Sequence, residues 1–134
     1  MSATSPTRLT VGVWLVVDGV LDNEVHRLIH DGHDLDASEV VRARGLRARG
    51  WELCRAHPRR GEGPVGWPPR DAAFDLELDV ETLRYLVERC AWALSVSERL
   101  VAAAPHDQRG AQEEDAARTR EALALLRAMA AEAG

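Results

Sequence analysis

Acidic and histidine side chains recur at every fourth position near the start of the chain. They are Asp18, Asp22, His26 and His30, and His33 follows them closely. On an α-helix this spacing places the first four side chains in one polar stripe. Imidazole and carboxylate groups in this arrangement can bind a divalent metal ion or act as an acid–base pair. The sequence therefore offers Asp22, His26, His30 and His33 as candidate metal ligands.

The same stripe also fits the solvated face of an ordinary helix. Its spacing matches no zinc motif of the HExxH type and includes no cysteine pair. No second cluster of carboxylates on another helix stands out as a partner. Protonated histidines are also favoured near a helix C-terminus by the helix dipole. We expect the solvated face, and we keep the divalent metal site as the alternative.

A second candidate for chemistry is Cys54, which is followed one helical turn later by His57. A cysteine thiolate assisted by histidine can act as a nucleophile. Both residues, however, fall on the apolar face of the helix expected there, and no third orienting group can be named. We therefore expect Cys54, like Cys90, to be a buried thiol of the core.

Arginines dominate the Arg42–Arg60 stretch, which follows an acidic segment. Arginine clusters can bind phosphate or carboxylate groups through paired hydrogen bonds. At about 100° per residue, two sides of the helix carry arginines. Arg42 and Arg49 share one side, and Arg44, Arg47 and Arg55 share the other. The stretch predicts either an anion-binding site, with Arg42 and Arg49 as its candidates, or a solvated surface with ion pairs to the acidic segment.

Composition narrows the class of protein. The chain has 134 residues, of which 46% are hydrophobic, and this is enough for one domain with a buried core. The net charge of −5 argues against a general nucleic-acid-binding surface. No secretory signal pattern or long apolar run is visible, so we expect a cytoplasmic protein with reduced thiols and no membrane association.

The apolar pattern predicts the elements of the first half. Residues 1–8 read as a flexible tail. Alternating apolar residues favour a strand over about residues 9–17, followed by a helix over about residues 20–31, and one continuous helix is the alternative. A further helix is expected over Ser38–His57. Gly50 lies on its apolar face, where a missing side chain allows another helix to approach closely.

The second half begins with a long loop. Residues 58–73 are rich in proline and glycine, and we expect Trp67 to pin the loop to the surface. The loop acts either as a plain crossover or as a lid over a pocket. Residues 73–78 then alternate as a second strand. Residues 79–132 predict a helical hairpin, with Asp79 as the N-cap of its first helix.

Together these patterns predict a mainly α, bundle-like single domain over residues 1–134, with a C-terminal αα-hairpin and a small two-stranded sheet. The expected function is a small cytosolic accessory or interaction module that self-associates as a homodimer. One alternative is a metal-dependent or acid–base enzyme that uses Asp22, His26 and His30. A second alternative is an anion-binding regulator that uses the Arg42–Arg60 stretch. The sequence does not decide whether the protein is an enzyme.

Overall fold

The computed structural model describes residues 5–133, with side chains over residues 7–133. Over this range the protein is mainly helical, with one small antiparallel sheet of two strands. The elements in chain order are β1 (Ser5–Thr10), α1 (Val11–His30), α2 (Ser38–Arg55), β2 (Ala73–Leu78), α3 (Val80–Ala103) and α4 (Arg109–Ala133). The mainly α class and the small sheet predicted from the sequence are confirmed.

The chain divides into two compact units. One unit spans Pro6–Glu77 and contains the sheet, α1 and α2, whereas the other contains α3 and α4. The boundary therefore falls at the end of β2, while the sequence placed the division between halves in the 58–73 loop. The single domain over residues 1–134 stays a prediction.

The strand predicted over residues 9–17 is wrong, because β1 ends at Thr10 and α1 begins at Val11. The Thr10 hydroxyl accepts a hydrogen bond from the Val13 N–H at 3.2 Å and caps the helix. The buried side chains of α1 follow helical spacing. They are Val11, Trp14, Val17, Leu21, Glu24, Val25 and Leu28. This continuous helical seam packs against α2, and its burial overrides the β preference of a valine-rich segment.

Strand β1 lies beside β2 and begins earlier than the sequence indicated. Residues 5–8, which the sequence assigned to a tail, belong to β1, and residues 1–4 of that tail lie outside the described residues. Strand β2 is confirmed at Ala73–Leu78, where buried Phe74 and Leu76 alternate with exposed charged residues. The alternation follows because successive side chains of a strand point to opposite faces.

Trp14 fills the contact between α1 and α2. A Cβ at position 50 would clash with Cζ2 and Cε2 of the Trp14 indole, so glycine is needed there. The predicted close approach at Gly50 is therefore confirmed. Trp14 also meets Phe74 of β2 edge to face, with ring centroids 6.3 Å apart. One side chain thus packs against both a helix and the sheet.

The ends of α2 differ from the sequence prediction. The N-cap is Ala37 and has no side-chain capping bond, so Ser38 is the first helical residue and not the cap. The helix ends at Arg55, ahead of the predicted end at His57. These shifts leave the register of the α2 faces unchanged, because register depends on spacing within the helix.

The second unit is the predicted hairpin, in which α3 packs against α4. Asp79 is confirmed as the N-cap, since its Oδ1 accepts a hydrogen bond from the Thr82 N–H at 2.7 Å. Where the two helices meet, the buried Ser97 hydroxyl donates to Asp115 Oδ2 at 3.3 Å. None of the described helices combines the length and the apolar character needed to cross a bilayer.

Candidate functional site

The carboxylates of the N-terminal polar stripe converge on an arginine. Arg47 Nε donates to Asp18 Oδ1 at 2.8 Å, and Arg47 Nη1 donates to Asp22 Oδ1 at 2.9 Å. Both aspartates lie on α1 and Arg47 lies on α2, so one guanidinium joins the two helices. The hydrogen bond that Arg47 donates to Asp18, together with the charges of both carboxylates, raises the pKa of Arg47 above its ordinary value.

The histidines of the stripe do not join this cluster as one ligand set. His26 Nδ1 lies 2.8 Å from the Asp22 carbonyl oxygen, and its side chain is largely exposed. His33 Nε2 lies 3.3 Å from Glu39 Oε2, and His30 is exposed. Over residues 5–133, no group of three or more His, Cys, Asp and Glu side chains could hold a metal ion. The candidate metal site therefore gains no geometric support.

Both ring nitrogens of His57 form hydrogen bonds with backbone groups. Its Nδ1 accepts a hydrogen bond from the Arg59 N–H at 3.0 Å, so Nε2 carries the proton and donates to the Ala73 carbonyl oxygen at 3.0 Å. The ring thus ties the segment after α2 to the start of β2. Cys54 is buried as expected, and burial, with a smaller contribution from the charge of Asp18, raises the pKa of its thiol to about 11.

An open groove of about 360 Å³ follows one face of α2. Its lining consists of Arg44, Arg47, Ala48, Trp51 and Arg55. At a rise of about 1.5 Å per residue, the lining extends over about 16 Å of helix. Three of its five side chains carry a guanidinium, but the middle one, Arg47, is already paired with Asp18 and Asp22. The positive charge of the groove therefore lies towards its two ends, at Arg44 and Arg55.

A smaller pocket of about 180 Å³ adjoins this groove, since Trp51 and Arg55 line both cavities. Its remaining lining is Cys54, Arg60, Val65, Gly66 and Trp67. The rings of Trp51 and Trp67 are in contact, with centroids 4.0 Å apart and planes tilted by 50°. The predicted anchoring of the loop by Trp67 is thus confirmed, and the pocket it forms is mainly apolar. We call the groove and the pocket together the arginine–tryptophan site.

Backbone hydrogen bonds within the loop fix the position of Trp67. The Gly63 N–H donates to the Trp67 carbonyl oxygen at 2.7 Å, and the Trp67 N–H donates to the Pro64 carbonyl oxygen at 3.1 Å. A Cβ at position 63 would clash with the backbone of Pro68, so only glycine fits there. These contacts give the second wall of the pocket a defined shape.

Val65 occupies an unusual position at the edge of the pocket. Its φ of 56° and ψ of 30° are left-handed, a conformation that is strained for a β-branched side chain. The side chain is 97% exposed. The loop therefore displays an apolar group beside Trp67 at a cost in backbone energy.

The groove lies on a different side of the arginine-rich helix from the two arginines that the sequence singled out. Arg42 and Arg49, the predicted anion-binding residues, are exposed on α2 and line neither cavity. The groove is lined instead by Arg44, Arg47 and Arg55, and only the adjoining pocket has a second wall, which the loop residues 65–67 form. Helical spacing groups Trp51 with Arg44, Arg47 and Arg55, whereas nothing in the sequence links Arg60 or Val65 to them.

Comparisons of this chain with protein-family models, with curated proteins and with solved structures find no match. Guanidinium groups bind carboxylate or phosphate oxygens through paired hydrogen bonds. Tryptophan rings contribute apolar contact area and attract cations. Such a site suits a ligand that has both anionic and apolar groups.

Proposed function

We propose that this protein is a small interaction module that binds an anionic partner through the arginine–tryptophan site. The observation that carries the proposal is the alignment of Arg44, Arg47 and Arg55 along one groove. Arg44 and Arg55 present donors at the two ends of the groove, and each can bind an oxygen anion. Arg47 lies between them and already donates to Asp18 and Asp22. The site lies on the unit built from the sheet, α1 and α2, which fixes its shape.

Arg47 is held in position before any ligand binds. Asp18 and Asp22 fix its guanidinium, so little side-chain freedom is lost when a partner approaches. The same two carboxylates more than offset the single charge of Arg47. The attraction for an anion therefore comes mainly from Arg44 and Arg55, which are exposed on either side of Arg47.

The overall charge of the chain makes the site selective. A net charge of −5 repels large polyanions, whereas the local arginine cluster attracts one short anionic segment. The negative field of the whole chain and the positive field of the arginines act in opposite directions, so they favour a short anionic segment over a long polyanion. We therefore expect the protein to recognise a specific anionic partner rather than anions in general.

Calorimetric titration with a hexaglutamate peptide tests this function. We expect binding that weakens with added salt, and a loss of about tenfold or more in the Arg44→Gln/Arg55→Gln variant, since each removes a charge-assisted contact. The matched control is Arg42→Gln/Arg49→Gln, which removes two exposed arginines of the same helix outside the groove. Equal losses in both variants, or no binding by the parent, would contradict the proposal.

Self-association is a second candidate function and concerns α3. Trp92, Val96 and Leu100 follow one another at four-residue spacing, so they form a single ridge on the helix. Trp92 is 44% exposed and Leu100 is 50% exposed. A second copy of the chain that covers the ridge would produce the predicted homodimer.

Light scattering tests the self-association. We expect twice the chain mass of 14.8 kDa for the parent and a monomer for Trp92→Glu/Leu100→Glu, because the charges would be buried unpaired. A parent that stays monomeric at high concentration contradicts the homodimer.

We also propose a cytoplasmic location, which is supported by two cysteines that are free and buried.

A further inference from the structure

We infer that the anionic partner is an acidic peptide segment in which a large apolar side chain stands next to the carboxylates. This inference rests on the binding function proposed for the arginine–tryptophan site. It follows from the division of that site into a basic groove and an apolar pocket, whose shared residues are Trp51 and Arg55. A ligand that fills both cavities must carry charge and apolar surface side by side.

The length of the groove favours a peptide over a small anion. Its lining extends over about 16 Å of α2, and a single carboxylate or phosphate group occupies one guanidinium fork. An extended peptide rises about 3.3 Å per residue, so about five residues match the groove. Acidic side chains along such a segment can meet Arg44 and Arg55 at the same time.

The pocket supplies the place for an apolar anchor. Trp51 and Trp67 form its aromatic wall, and the exposed Val65 stands at its edge. A strained loop residue with an exposed apolar side chain suits a binding surface, because contact with a partner buries that side chain. Arg60 lines the same pocket, and its guanidinium donates to the Arg55 carbonyl oxygen at 3.1 Å, which places a positive charge beside the anchor.

A single-stranded nucleic acid fits this site less well. The carboxylates of Asp18 and Asp22 lie 2.8 and 2.9 Å from the Arg47 guanidinium, so they would repel a phosphate placed at that arginine. A peptide can leave that point uncharged, whereas an oligonucleotide carries a phosphate at every step.

Two hexapeptides of equal charge test separately whether the site needs anionic groups and whether it needs an apolar side chain. One has four glutamates that flank two central leucines, and the other has serines in place of the leucines, so both carry the same charge. By calorimetry we expect the leucine peptide to bind about tenfold more tightly, because its side chains enter the pocket. Both peptides should lose affinity in Arg44→Gln/Arg55→Gln.

Val65→Gly tests the role of the pocket edge without disturbing the loop. Glycine adopts a positive φ without strain, so the loop keeps its course while the apolar group is lost. We expect the preference for the leucine peptide to fall by about three- to fivefold, in line with the burial of one small apolar side chain. Leu35→Ala removes another exposed apolar side chain, far from the site in sequence, and should leave the preference unchanged.

The outcomes distinguish this inference from the function on which it rests. Equal binding of the two hexapeptides, with loss in Arg44→Gln/Arg55→Gln, overturns the acidic–apolar peptide and leaves the anionic partner in place. A six-residue oligothymidine that binds more tightly than the leucine peptide, with the same dependence on arginine, overturns the peptide in favour of nucleic acid. If the parent protein binds neither hexaglutamate nor either of the two hexapeptides, the proposed function itself is wrong.

Discussion

The Asp18 carboxylate and the Arg47 guanidinium form a two-point contact between α1 and α2, with Nε to Oδ1 at 2.8 Å and Nη2 to Oδ2 at 3.4 Å. The side chain of Asp18 is only 13% exposed, so its contact with Arg47 replaces much of the water around the carboxylate. The contact serves two purposes. It stabilises the helix pair, and it fixes the central arginine of the groove.

Loss of Arg47 should therefore reduce stability. We expect Arg47→Gln to lower the free energy of unfolding by about 1–3 kcal/mol, because it leaves a largely buried carboxylate without its cationic partner. Urea unfolding of the full chain measures the change. Arg49→Gln on the same helix is the control and should stay within about 0.5 kcal/mol. Adding Asp18→Asn to Arg47→Gln should recover part of the loss, and an additive double variant would argue against direct coupling.

The close packing at Gly50 gives a second prediction. Gly50→Ala should destabilise the protein by about 1–3 kcal/mol, since the added methyl group forces Trp14 or α2 to move. Gly45→Ala is the matched control, because a Cβ at that position meets no atom within 4 Å. It should stabilise α2 by about 0.5–1 kcal/mol through helix propensity. A thermal melt in which both variants behave alike would show that the contact is looser than described.

The two cysteines predict how stability depends on pH. Burial raises the pKa of both the Cys54 and Cys90 thiols from 9.0 to about 11. The unfolded chain therefore loses these protons at lower pH than the folded protein. The resulting stabilisation is complete below pH 9 and declines as pH rises towards 11. The chain contains no lysine, so lysine titration does not obscure the effect.

Denaturant unfolding at several pH values checks this dependence. We expect the free energy of unfolding to fall between pH 9 and pH 11 in the parent, and to fall less in Cys54→Ala/Cys90→Ala. At neutral pH, a thiol reagent should label the folded protein slowly and the unfolded chain rapidly, since the reactive form is the thiolate. Fast labelling under native conditions would contradict the buried state of both thiols.

The polar stripe of α1 leads to a prediction about metal ions. Asp22 already binds Arg47, and a metal ion at this position would have to displace it. We expect His26→Ala and His30→Ala each to change stability by less than about 0.5 kcal/mol. We also expect Zn²⁺, Mn²⁺ and Fe²⁺ to leave the Tm unchanged. A rise in Tm that both variants abolish, and that fades as pH drops through about 6.5, would restore the metal site.

Local signals in the sequence determined a large part of the fold. The hairpin follows from a capping aspartate at Asp79 and a long apolar stripe, and β2 follows from strict alternation. The close approach at Gly50 follows from a missing side chain on an apolar face. The cap and the alternation are predictable because neighbours within four residues decide them. At Gly50 the sequence predicts only that space is left on the apolar face, and Trp14 of α1 fills it in the folded chain.

Tertiary contacts decided the rest. The Leu9–Val17 segment has a pattern that fits both strand and helix, and only packing of Trp14 against α2 selects the helix. Spacing grouped the arginines of α2 into two sides, but it could not indicate which side would gain a groove. Asp18 and Arg47, which form an ion pair, are 29 residues apart in the chain. Trp51 contacts Trp67 only because the loop that carries Trp67 folds back onto α2. Helical spacing specifies which residues share a face, and only the folded chain brings a second wall to that face.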